Sequence, residues 1–137
     1  MGAISNIQKA LDKALKQFGV DNSINIALDN IDAPTDTNTP FLASRQINVA
    51  VETADLGTSD ARSGFYQIDI YYASHTGTPP FNKMADLLNA TFKSGACFYH
   101  NGVCVSIDSC EPTQILINNG WGVLPLNINW SSYTARL

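Results

Sequence analysis

Apolar residues Ile4, Ile7, Leu11, Ala14, Leu15 and Phe18 recur at steps of three and four, and Lys9, Lys13 and Lys16 occupy the face between them. That period lays an apolar stripe along one side of a helix. Gly19 follows Phe18 directly and predicts the stop, because glycine adopts the left-handed conformation that closes helices. The lysines lie toward the end where the helix dipole favours cations. A second stripe of Phe81, Met84, Ala85, Leu88 and Phe92 comes after Pro79 and Pro80, residues suited to a first helical turn.

Elsewhere the period falls to two. Ile24, Ile26 and Leu28 alternate with Asn25 and Ala27, and the polar stretch from Asp29 to Pro40 then reads as a loop. Ile47, Val49 and Val51 alternate with Asn48, Ala50 and Glu52 within a strand expected over 41–52. Tyr66, Ile68, Ile70 and Tyr72 alternate with Gln67, Asp69 and Tyr71 over 64–72. The stretch from Thr53 to Ser63 between them is rich in Gly, Ser, Thr and Asp and reads as a long functional loop. Asn101-Gly102 and Asn119-Gly120 favour two-residue type I′ turns, joining strands expected at 96–100 and 103–107 and at 113–118 and 121–130. This order predicts an α+β fold: a mixed, mostly antiparallel sheet with two amphipathic helices packed on one face. One domain over residues 1–137 is expected, since 45% hydrophobic content supports a core without staples.

Twelve acidic against eight basic residues, a net charge of −4, make a surface poorly suited to neutralising phosphates. Met1 to Lys9 lacks the basic and apolar succession of a signal peptide, and no stretch approaches the ~18 apolar residues of a bilayer span. A cytoplasmic setting with reduced thiols is expected.

Candidate chemistry centres on Cys97, His100, Cys104 and Cys110, four possible zinc ligands close in sequence. A turn at Asn101-Gly102 pairs His100 with Val103, Tyr99 with Cys104, Phe98 with Val105 and Cys97 with Ser106. His100 then faces away from Cys97 and Cys104, so packed thiols are expected, with no metal and no cofactor. His75 and His100 are the two histidines, and neither sits in a triad-like setting. Nucleophile-elbow, phosphate-loop, dinucleotide and zinc-protease motifs are all missing from the sequence, so no catalytic residues are assigned and an enzyme is not expected.

The succession Gly64-Phe65-Tyr66-Gln67-Ile68-Asp69-Ile70-Tyr71-Tyr72, then Gly77-Thr78 opening the second helix, then Asn119-Gly120-Trp121 leading to Leu124-Pro125-Leu126-Asn127-Ile128-Asn129-Trp130, resembles the phage tail terminator family. Leu28-Asp29-Asn30, Pro34 and Pro40-Phe41-Leu42 extend the likeness over nearly the whole chain. The resemblance implies a virion protein, assembled in the host cytoplasm, that forms a homohexameric ring on the finished tail tube. It would halt tube growth and offer a joining surface to the head. Implied partners are further copies of the chain, the tail tube protein and a head-completion or connector protein. DNA would pass through the channel without specific binding, and no membrane is involved.

The family defines no catalytic residues, so interface residues are assigned from the two polar stretches: Asp32 and Asp36 in the first, Asp55, Asp60 and Arg62 in the second. The acidic residues near the second stretch also fit a solvated hairpin tip. Tyr66, Tyr71, Tyr72, Trp121 and Trp130 are expected to serve mainly the core, with one or two as interface anchors. Other readings are another neck or tail-tube component, a monomeric binding module, and a small Cys/His metal-binding protein.

Overall fold

The computed structural model describes residues 3–27, 40–53, 59–73, 77–118 and 120–135, with the backbone alone at 3–5, 46–53, 59–60, 118 and 133–135. In chain order the elements are α1 (Ala3–Asn22), β1 (Asn25–Ala27), β2 (Phe41–Thr53), β3 (Ser59–Ala73), α2 (Pro79–Thr91), β4 (Cys97–His100), β5 (Val103–Pro112), β6 (Leu116–Asn118) and β7 (Trp121–Ala135). The strands form one sheet in the order β1-β2-β3-β7-β5-β4, with β6 also paired to β7. β1 runs parallel to β2 and every other pairing is antiparallel, so the α+β, mostly antiparallel expectation holds.

α1 buries Ile7, Ala10, Leu11, Leu15 and Phe18, the stripe that the spacing predicts. It does not stop at Gly19. The helix runs three residues further and closes at Ser23, whose φ of 54° is left-handed. The Ile24 N–H donates to the Gly19 carbonyl at 3.0 Å, the six-to-one bond of a Schellman cap. Gly19 instead serves a close approach: a Cβ there would lie 2.6 Å from Ile26 Cγ1 and 3.0 Å from the Ile24 carbonyl oxygen. Helix α2 begins at Pro79 as expected, and Thr78 makes no side-chain cap. The two prolines lack N–H groups, so the first turn has fewer orphan donors to satisfy.

Four further boundaries differ from expectation. β2 and β3 stay paired from Phe41↔Tyr71 to Thr53↔Asp60, with a bulge between Asn48 and Ala50, so 59–63 is strand and not loop. β7 continues past Trp130 to Ala135, keeping β3 paired along its full length from Ala73↔Trp121 to Ser59↔Ala135. β5 extends to Pro112 through a bulge between Ile107 and Ser109. The strand expected over 113–118 is reduced to Leu116–Asn118.

The break between β5 and β6 coincides with Pro125. Its carbonyl accepts the Thr113 N–H and Oγ1, both at 2.9 Å. In an extended strand the N–H and C=O of one residue point to the same edge. The missing proline donor therefore faces the break and removes no bond between β7 and β3.

Both helices cover the same sheet face. Tyr66, Ile68 and Ile70 from β3, Leu124, Leu126, Ile128 and Trp130 from β7, and Val105 and Ile107 from β5 meet α1 and α2 in one core cluster. Burying each large side chain contributes about 1.5–3 kcal/mol. Tyr66 reaches across the core to donate to Asp12 Oδ1 at 2.5 Å, which fixes α1 over the sheet. Gly122 lets the Phe81 ring rest on β7, since a Cβ there would lie 2.7 Å from Phe81 Cζ.

Candidate functional site

The sequence points to five interface residues, Asp32, Asp36, Asp55, Asp60 and Arg62. Asp32, Asp36 and Asp55 lie outside the described residues. Asp60 and Arg62 lie not in a loop but in β3, two residues apart on one strand, opposite Thr134 and Ser132 of β7. Polar composition suggested a loop there, and continuous cross-strand pairing overrides it.

The described surface best built for contact is the sheet face that no helix covers. It is made of the residues that alternate with the core positions: Arg45 on β2, Gln67, Asp69 and Tyr71 on β3, Ser109 and Glu111 on β5, and Asn127, Asn129 and Ser131 on β7. Their side chains are tied to one another. Gln67 Nε2 donates to Asp69 Oδ1 at 2.8 Å, Asn129 Nδ2 to Ser109 Oγ at 2.6 Å, and Ser131 Oγ to Asp108 Oδ1 at 3.0 Å. Such bonds hold the polar side chains in one arrangement. The alternation in Asn127-Ile128-Asn129-Trp130 signals this face, but its extent follows only from which strands lie side by side.

At one end of this face Phe41, Tyr71 and Trp121 form an aromatic knot. Phe41 and Tyr71 stack with ring centroids 4.3 Å apart, and Trp121 stands edge-on to both at 5.1 and 5.9 Å. Burial, and next the Asp69 charge, raise the Tyr71 hydroxyl pKa, while Arg45 pulls it back. The hydroxyl stays protonated at neutral pH. Of the five aromatic residues singled out, Tyr66 and Trp130 are fully buried under the helices, and Tyr71, Tyr72 and Trp121 are partly exposed.

The Cys/His hairpin has the expected register, from His100↔Val103 to Cys97↔Ser106. Asn101 and Gly102 take φ of 49° and 79°, as a type I′ turn requires. Cys97 and Tyr99 stand exposed on the uncovered face, and Phe98 packs against Phe92 on the core side. The three cysteines are free thiols. Burial, then Glu111, pushes the Cys110 thiol up to about 11. No group of three His, Cys, Asp or Glu side chains is placed to hold a metal among the described residues.

Two grooves flank the helices. One, of about 560 Å³, separates α1 from β4 and is lined by Ala10, Ala14, Phe18 and Phe98; Lys13 Nζ crosses it to donate to the Tyr99 carbonyl at 3.0 Å. The other, of about 700 Å³, lies beside α2 among Tyr72, Pro79, Pro80, Met84 and Leu87. No described helix is long and apolar enough to cross a membrane. The described surface thus combines a polar sheet face with scattered exposed apolar side chains.

The family model described as phage tail terminator protein matches residues 6–130. No curated protein matches the sequence significantly. One solved structure superposes with a TM-score of 0.73 at 15% sequence identity, over 92% of this chain and 92% of its own, which is a likeness of fold alone. Because the family match runs from the first turns of α1 into β7 and takes in every element between, the chain belongs to the phage tail terminator family and is a structural protein of a phage tail.

Proposed function

We propose that the protein closes the finished tail tube as a homo-oligomeric ring, hexameric as the family likeness implies. The ring stops tube polymerisation and presents a seat to the head-completion or connector protein. The observation that carries this reading is the family match over residues 6–130. Its physical support is a broad polar sheet face together with exposed apolar side chains on separate elements, Val20 on α1, Tyr99 on β4, and Leu116 and Ile117 on β6. Small contacts of this kind become strong when closed symmetry repeats them around a ring. The acidic balance of the chain lets a duplex pass without adhering. Neither catalysis nor a cofactor belongs to this role.

The test is tube assembly from purified tail tube protein, with and without this chain, followed by electron microscopy. Shortened tubes with a ring at one end are expected. Tubes of unchanged length and bare ends would refute the capping role, and long tubes made by this chain alone would make it a tube subunit instead.

A further inference from the structure

The lysines gather on the helix side of the sheet, and three described carboxylates stand on the other. All five lysines, Lys9, Lys13, Lys16, Lys83 and Lys93, lie on or just after the two helices, whereas Asp69, Asp108 and Glu111 lie on the uncovered face of the sheet. Lys9, Lys13 and Lys16 are exposed and form one stripe along α1 that Val20 continues. With a helical rise of ~1.5 Å per residue, Lys9 and Lys16 stand about 10 Å apart.

The uncovered face carries a matching pair of carboxylates. Asp69 on β3 and Glu111 on β5 flank β7, opposite Pro125 and Asn127. Two strand spacings of ~4.8 Å and a two-residue offset of ~3.3 Å per residue separate them by about 12 Å. Asp108 lies on the same face, and Arg45 is its one basic residue among those with described side chains. Each surface also has an exposed apolar side chain, Val20 at 75% and Phe65 at 40%.

We propose that neighbouring copies dock face to back, the α1 lysine stripe of one copy lying over the Asp69–Glu111 patch of the next. This rests on the ring reading above and specifies its contact. The two surfaces lie on opposite sides of one sheet, so the contact is head-to-tail and repeats from copy to copy. Such a contact closes into a ring when the rotation between copies divides a full turn. Opposite charge with matched spacing favours a second copy of this chain over an unrelated acidic partner.

Two charge-reversed forms test this, Lys9→Glu with Lys16→Glu and Asp69→Lys with Glu111→Lys, each checked for folding by circular dichroism. Lys13 is left in place because it holds the Tyr99 carbonyl. Sedimentation of each form alone, at about 0.1 M salt, is expected to show self-association weakened about tenfold or more relative to the unaltered chain. Mixing the two forms restores assembly, because every contact in an alternating ring then joins opposite charges. If the unaltered chain rings and both reversed forms ring equally well alone, the docking is wrong and the ring reading survives. If the lysine-reversed form still rings but loses binding to a short DNA duplex, the lysines face the channel and the docking is wrong. If the unaltered chain neither rings nor caps tubes, the ring reading fails and the docking with it.

Discussion

Gly19→Ala sets two effects of opposite sign against each other. In an exposed helix interior the change stabilises by about 1 kcal/mol, because glycine loses more backbone entropy on folding. Here the added methyl would lie 2.6 Å from Ile26 Cγ1, and 3.0 Å from both Ile26 Cδ1 and the Ile24 carbonyl oxygen. Overpacking of this kind costs about 1–3 kcal/mol, and the Ile24 backbone, held by its N–H bond to the Gly19 carbonyl, has little room to retreat. The net expectation is a loss of about 1 kcal/mol. Ile26→Ala removes both crowding carbon atoms of that side chain, so in its background Gly19→Ala becomes neutral or stabilising. Urea titrations of the four chains in this cycle, read as midpoints at constant slope, should give a coupling of about 1–2 kcal/mol. If Gly19→Ala stabilises the unaltered chain by the full helix-propensity amount and shows no coupling to Ile26, the close-approach account of Gly19 is refuted.

Ser23→Gly should stabilise the protein by up to about 1 kcal/mol in the same assay, since a left-handed φ strains a serine and not a glycine; no gain would speak against the Schellman cap. Tyr66→Phe removes the bond to Asp12 and should cost about 1–2 kcal/mol, seen as a lower urea midpoint with α1 still folded by circular dichroism. At pH 8 iodoacetamide should modify exposed Cys97 well before Cys110, and mass spectrometry of timed samples decides the order. Because the Cys110 pKa is raised in the folded chain from 9.0 to about 11, its contribution to stability is complete below pH 9 and lost as pH rises through 11, so urea midpoints of wild type and Cys110→Ala should converge over that interval.

What the sequence made legible was local. Asn101-Gly102 specifies both the turn and the register, so the separation of His100 from Cys97 and Cys104 could be worked out before any fold was known. Alternation placed Ile68 and Ile70 in the core, and helical spacing did so for Leu11 and Leu88. The errors were tertiary. Gly19 looks like a helix stop until β1 is seen to return against it. Residues 59–63 look like a loop because their order is set by strands on both sides and not by their own side chains. The uncovered face is not legible in the sequence for a related reason: Asp69 and Glu111 are distant along the chain, and only β7 running between their strands makes them neighbours.

The position of β7 has a consequence for biosynthesis. It is made after every other strand, yet it occupies the middle of the sheet, with β3 on one edge and β5 and β6 on the other. Until it emerges, β1–β3 and the β4–β5 hairpin share no strand and must wait as separate halves, a costly form of long-range closure for a growing chain. The carboxylates of Asp69 and Glu111 come into register only when β7 enters between them. A chain broken off before that strand therefore carries the two acids on separate pieces of sheet, and the patch they form belongs to the finished chain alone.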